Sequence, residues 1–155
     1  MLDSINYGIV LSGFVISDSG LPGAVLALHR TTHHTLRALS VALADLNLTP
    51  AETNALANLT ELGALSVIQL SAATGTKPST LTGVLDRLER RGYLARELDA
   101  ADRRSFRLVL TEPGSAAAEQ VQAAIAALEE RALAGLSPAQ LAGYHAVITA
   151  LEEAC

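Results

Sequence analysis

The chain has 155 residues, half of them apolar and 17% charged, which is enough for one domain with a real core and excludes a disordered chain. Aromatic residues make up only 3% and Trp is absent, so the core must be built from Ala, Leu, Val and Ile, a composition that favours helix. The formal net charge of −5 is unevenly spread: residues 77–107 hold eight basic and five acidic side chains, a net +3, and the remainder holds three basic and eleven acidic, a net −8.

Residues 1–20 read as an N-terminal extension, with Gly8 and Gly13 weakening any helix and Ser17-Asp18-Ser19-Gly20 forming a loop. The apolar stretch from Ile5 to Ile16 has no basic residue before it and has Asp3 where a signal peptide carries positive charge. It is also too short to cross a bilayer as a helix. No membrane partner is expected. A single cysteine, Cys155, forms no internal disulfide, which suits a reducing cytoplasm.

Residues 21–46, opened by Pro22, are expected as one long helix. Thr49-Pro50-Ala51-Glu52 is a capping box with Pro at the first helical position, predicting a helix to Leu62 that Gly63 ends. Ser66-Val67-Ile68-Gln69 is a second box, opening a short helix to Ala73, and Thr74-Gly75-Thr76 is a tight turn. Pro78 opens the next helix, which runs to Arg91 and stops at Gly92. On it Leu81, Val84, Leu85 and Leu88 share one face, and Ser79, Thr82, Gly83, Asp86 and Arg90 share the other. Two strands follow, Leu94 to Leu98 and Ser105 to Leu110, the second with Phe106, Leu108 and Leu110 alternating against Ser105, Arg107 and Val109. Residues 99–104 between them form a charged hairpin tip. Thr111-Glu112-Pro113-Gly114 starts an Ala-rich helix to Leu133. Ser137-Pro138-Ala139-Gln140 starts a last one, with Leu141, Tyr144, Ile148 and Leu151 at helical spacing.

Two helices joined by a short glycine turn make a helix-turn-helix, whose second helix enters the major groove led by its N-terminal residues. The basic segment on an acidic body agrees with that use. Free backbone N–H groups and the dipole favour phosphate at the helix start, where Lys77 adds charge and Ser79, Thr80 and Thr82 add short hydroxyls. Arg87 lies further along the same helix. The hairpin is then a wing: Arg103 and Arg104 at its tip suit a narrow minor groove, and Arg107 on the return strand suits the phosphate backbone.

The run from Leu48 to Gly114 resembles the MarR family of bacterial and archaeal regulators. The resemblance rests on Asp99-Ala100-Ala101-Asp102-Arg103-Arg104 followed by Leu108-Val109-Leu110-Thr111 and Gly114. Ser79-Thr80-Leu81-Thr82, Asp86-Arg87-Leu88-Glu89 and Gly92-Tyr93-Leu94 match in the same order. It implies a mainly α fold with a small β-wing: a winged helix-turn-helix over residues 47–111, with residues 21–46 and 112–155 as long dimerisation helices. It also implies a triangular homodimer on a pseudo-palindromic operator in double-stranded DNA, with half-site centres about 10 bp apart. A repressor relieved by a small aromatic or phenolic acid is the expected mode. Two departures bear on base reading. Gly83 stands where the family often has a long polar residue, at a cost of about 1 kcal/mol in helix propensity. Asp86 faces outward and needs pairing with Arg90 or a wing arginine so as not to repel phosphate.

The remaining features carry less. His29 and His33 stand at i, i+4, a metal-ligand spacing, with His34 and His145 elsewhere. Without a neighbouring glutamate motif or cysteine, no metal or cofactor is assigned to them. They read as polar residues on a helix surface or subunit seam, or as the lining of an effector pocket in which Arg37 meets a carboxylate. Cys155, at the last position, reads as incidental. No glycine-rich phosphate loop, nucleophile elbow or paired-acid constellation points to an enzyme. The alternatives are a winged helix used only for protein contacts and a metal-responsive regulator.

Overall fold

The helix starts written into the sequence are realised bond by bond in the structure, a computed structural model that describes residues 10–11, 14–15, 23–99 and 105–154. Thr49, Ser66 and Ser137 each accept on the side-chain oxygen the N–H of the residue three positions on, and Glu52, Gln69 and Gln140 each accept the cap residue's own N–H in return. These reciprocal bonds satisfy donors that a helix start otherwise leaves open. In chain order the elements are β1 (Val10–Leu11), β2 (Phe14–Val15), α1 (Ala24–Ala42), α2 (Pro50–Leu62), β3 (Leu65–Ser66), α3 (Val67–Thr74), α4 (Pro78–Arg90), β4 (Leu94–Leu98), β5 (Phe106–Leu110), α5 (Glu112–Leu133) and α6 (Pro138–Glu153).

The chain divides into two units, residues 1–38 and residues 39–155. In the first, β1 pairs antiparallel with β2, with Val10 opposite Val15 and Leu11 opposite Phe14, and most of α1 follows. In the second, three antiparallel strands lie in the order β3-β5-β4. Leu65 faces Leu108 across β3 and β5, and Leu94 faces Leu110 across β4 and β5. Helices α2, α3, α4 and the first half of α5 close over this sheet. Leu56, Leu70, Leu81, Leu85, Leu88, Leu108 and Val121 are fully buried together. Each such side chain contributes about 1.5–3 kcal/mol of transfer free energy, so an aliphatic core can do without aromatics.

The winged helix-turn-helix architecture is the expected one, with three differences of detail. The helix expected over residues 21–46 stops at Ala42; a 3-10 turn over Ala44–Leu46 follows, and Asn47 takes a left-handed conformation at φ 45. A short polar side chain tolerates that region, and the break lets Leu43 turn into the core. β3 has two residues, too few to show an alternation, and falls against the capping box of α3. Phe106, expected inward with Leu108 and Leu110, is 50% exposed while Leu108 is fully buried.

The junction between wing and α5 depends on a missing side chain. The Thr111 N–H donates to the Tyr93 carbonyl at 3.2 Å, and the Thr111 hydroxyl accepts the Gly114 N–H at 3.1 Å. A Cβ at Gly114 would lie 1.8 Å from that same Tyr93 carbonyl oxygen. Only glycine lets the helix start this close to the strand.

Candidate nucleic-acid interface

The tight turn is built around Gly75, which takes φ 62 and gives its N–H to the Ala72 and Ser71 carbonyls. The Ser71 hydroxyl donates to the Thr76 carbonyl at 2.6 Å and closes the turn. Helix α4 leaves it with a sharp division of faces. Leu81, Val84, Leu85 and Leu88 are buried, and Ser79, Thr80, Thr82, Asp86, Arg87 and Arg90 are exposed. Lys77, at the cap position, is exposed and no side chain caps the helix start. Hydroxyls, a cation and first-turn backbone therefore lie together on the solvent side, a set suited to phosphate oxygens.

Three ionic contacts hold that face in place. Glu52, on α2, is 3% exposed. Its Oε2 accepts the Thr49 N–H at 2.8 Å and the Thr49 hydroxyl at 2.9 Å, and its Oε1 accepts the Arg87 Nε–H at 2.9 Å. Burial pushes the Glu52 carboxyl upward, but the Thr49 and Arg87 hydrogen bonds and the guanidinium charge outweigh it and hold the group below its ordinary value. Arg96, on β4, reaches Asp86 at 2.7 Å and Glu89 at 3.2 Å and so ties the wing to α4. The outward aspartate is thus met by an arginine of the wing's first strand. Arg90 Nε instead donates to the Asp86 backbone carbonyl at 3.2 Å. At the other end of α4, Arg91 donates to the Leu46 and Asn47 carbonyls and lies 4.8 Å from the Tyr93 ring centroid, closing off the α1–α2 connection.

The residues singled out from sequence fall as follows. Lys77, Ser79 and Thr80 are exposed at the start of α4. Thr82 is exposed, and its hydroxyl proton goes to the Pro78 carbonyl at 2.9 Å, which leaves the oxygen as an acceptor and the methyl free to touch a base. Arg87 has its Nε committed to Glu52 yet keeps 43% of its side chain exposed. Gly83 lies beside it: a Cβ there would meet Arg87 Nη1 at 3.8 Å, ordinary contact distance. Arg107 is exposed and donates to the Ala64 carbonyl at 2.6 Å, so its guanidinium is held near the base of the wing. Arg103 and Arg104 lie outside the described residues. On either side of that segment the Asp99 N–H donates to the Ser105 carbonyl at 3.0 Å. Between α3, α4 and the wing runs a groove of ≈ 540 Å³, with Ile68 and Phe106 on its flanks and Thr82 and Arg96 among its lining.

Glu52, Arg91 and Arg96 are the residues that sequence reasoning missed. Glu52 was visible as a capping residue, but nothing in the order of residues says that its second oxygen meets a side chain 35 positions away.

Outside this face, His29 and His33 stand with their Nε2 atoms 3.3 Å apart on α1. Among the described residues no group of three or more His, Cys, Asp or Glu is arranged to hold a metal ion, and no helix is long and apolar enough to cross a membrane. Several long helices carry uncovered apolar side chains. Val25, Leu26 and Val41 on α1 are at least half exposed, as is Tyr144 on α6, and no residue of α6 is buried. Cys155 lies outside the described residues.

Residues 48–106 match the model of the MarR family. The chain is 36% identical over 93 residues to the HTH-type transcriptional repressor MdtR of Bacillus subtilis (strain 168), a match that spans 60% of each chain's length. Among solved structures it is similar to Bordetella bronchiseptica BpsR, whose DNA binding is regulated by 6-hydroxynicotinic acid. There the TM-score is 0.70 and the identity 27%, covering 83% of this chain and 97% of that one. A MarR-family transcriptional regulator from Silicibacter pomeroyi gives a TM-score of 0.72 at 28% identity, covering 85% of this chain and 90% of that one.

Proposed function

We propose that the chain, which is similar to the MarR family over its central segment, is a transcriptional regulator of that family that binds a pseudo-palindromic operator as a homodimer, laying α4 in the major groove and the wing tip along the adjacent minor groove. The observation that carries this is the two-faced α4. Its apolar face is locked into the core, and its hydroxyl-rich N-terminal half stands in solvent between a cation at one end and a basic wing at the other. A winged helix used only for protein contacts has no need of that arrangement.

Direct base reading is sparse on this surface. Gly83 offers no side chain at the centre of the helix, and Thr82 offers one acceptor and a methyl. Phosphate contacts from Lys77, Ser79, Thr80, Arg87 and Arg107, together with Arg103 and Arg104 at the tip, carry most of the affinity, and groove shape carries much of the selectivity. The dimer is supported by the uncovered apolar side chains of α1 and α6, since faces of that kind mark contact surfaces. Repression is the mode the resemblance to MdtR favours, by occupying a promoter. The resemblance to BpsR favours relief by a small aromatic acid. A chromosomal operator makes the cytoplasm the site of action, and no catalytic step is assigned.

Electrophoretic mobility shift on the chain's own upstream DNA, repeated over a salt series, tests the reading. Affinity falls linearly on a double-logarithmic plot, and Arg103→Ala lowers the slope by about 1.8, the share of one phosphate contact from each subunit of the dimer. No shift on any genomic fragment recovered by selection, or an affinity indifferent to salt, contradicts DNA binding.

A further inference from the structure

Helix α1 places two imidazoles where one metal ion would hold them. His29 and His33 are four residues apart, so a single helical turn brings them to the same face. Both are exposed, their rings stand edge to face with centroids 4.7 Å apart, and the two Nε2 atoms are separated by 3.3 Å. Zinc binds imidazole nitrogen at about 2.0–2.1 Å in tetrahedral geometry, which puts two nitrogens on one ion about 3.3 Å apart. We propose that His29 and His33 form a bidentate site for a borderline divalent metal of the zinc class, separate from the DNA-reading surface and independent of the DNA-binding reading.

The chemistry of the helix narrows the ligand. α1 carries no Asp or Glu, and its other charged or titratable side chains are Arg30, His34 and Arg37. A donor set of two imidazoles and no carboxylate suits zinc, nickel or copper and disfavours calcium or magnesium, which need oxygen. Arg37, one turn beyond His33, opposes a cation and weakens the site without blocking it. The remaining positions are filled by water. The competing use of the same geometry is a hydrogen bond from one ring N–H to the other ring's free nitrogen, and the ion replaces that proton bridge.

The site also has a mechanical consequence. The helical conformation holds the two nitrogens at chelating distance in advance, so an ion bound there favours the helix and raises its resistance to unfolding.

Isothermal titration of the full-length, untagged chain with zinc chloride at pH 7.5, in the absence of DNA, tests the proposal. The expected result is one ion per chain, with affinity at least tenfold weaker in His29→Gln and in His33→Gln and unchanged in His34→Gln. Magnesium chloride produces no heat of binding. Because the substituted residues are exposed, circular dichroism of the variants matches the parent, and zinc raises the parent's Tm but not theirs. Saturable binding that survives both substitutions, a ratio of one ion to two chains, or no saturable binding up to millimolar zinc would overturn it.

Discussion

Glu52 does two things with one carboxylate. Oε2 completes the capping box at the start of α2, and Oε1 holds Arg87 of α4. Glutamine can keep the first role and not the ionic part of the second. Glu52→Gln is therefore expected to lower stability by about 1 kcal/mol at pH 7, the share of one charge-assisted bond to a half-exposed arginine. The pH dependence has a definite sign. The folded-state value is depressed, so the contribution is fully present above the ordinary carboxylate value and is lost as pH falls through the depressed one. Urea unfolding of the parent and the variant checks both points: the gap between them closes on acidification below the ordinary carboxylate range. A gap that widened in acid would show that the carboxyl is not held ionised. Gly114 makes a second prediction. Since a Cβ would meet the Tyr93 carbonyl at 1.8 Å, Gly114→Ala must move backbone, and a loss of more than about 2 kcal/mol is expected. Thermal unfolding measures it, and a Tm within a degree of the parent's would remove the close approach from the account. The glycine could be seen in the sequence as part of a motif, but the reason for it could not, because Tyr93 comes near only through the strand pairing.

At the scale of elements, the wing and the recognition helix act as one part because Arg96 joins them. Surface ion pairs contribute about 0–1 kcal/mol to stability, so Arg96→Ala is expected to change Tm by no more than a few degrees. DNA affinity should fall more, about fivefold or beyond, because the outer face of α4 loses its tie to β4 and Asp86 faces phosphate without its counterion. Comparing fluorescence anisotropy with thermal melts separates the two effects, and equal small losses in both would reduce Arg96 to a surface pair. Helices α2 through α6 were legible because their starts are local: capping boxes and prolines span four residues and act where they stand. The face of α4 was legible for the same reason, since Leu81, Val84, Leu85 and Leu88 fix it by period alone. β3 was not, because a two-residue strand exists only through its partner, with Leu65 and Ser66 defined by Leu108 and Arg107. The end of α1 was missed because the signal at Asn47 is a conformation, and the residue type allows it without requiring it.

At the scale of the whole molecule, charge works by position. The chain is acidic overall, yet its basic side chains gather over residues 77–107. Within that segment Arg87, Arg91, Arg96 and Arg107 are partly spent on Glu52, on backbone carbonyls and on Asp86 and Glu89. A count of charges thus overstates the free cations facing DNA, and the sequence could not reveal which were spent. Among the described residues, what is left is chiefly Lys77 with the exposed part of Arg87, and the proposed dimer would present these in duplicate. The central claim is then about grooves and spacing. Methylation protection of a selected operator fragment reads it directly, because guanine N7 faces the major groove. The account predicts two protected major-groove segments centred about 10 bp apart on one side of the duplex, both weakened by Thr82→Ala. Protection confined to one segment, or none in the major groove while the fragment is fully bound, would contradict it.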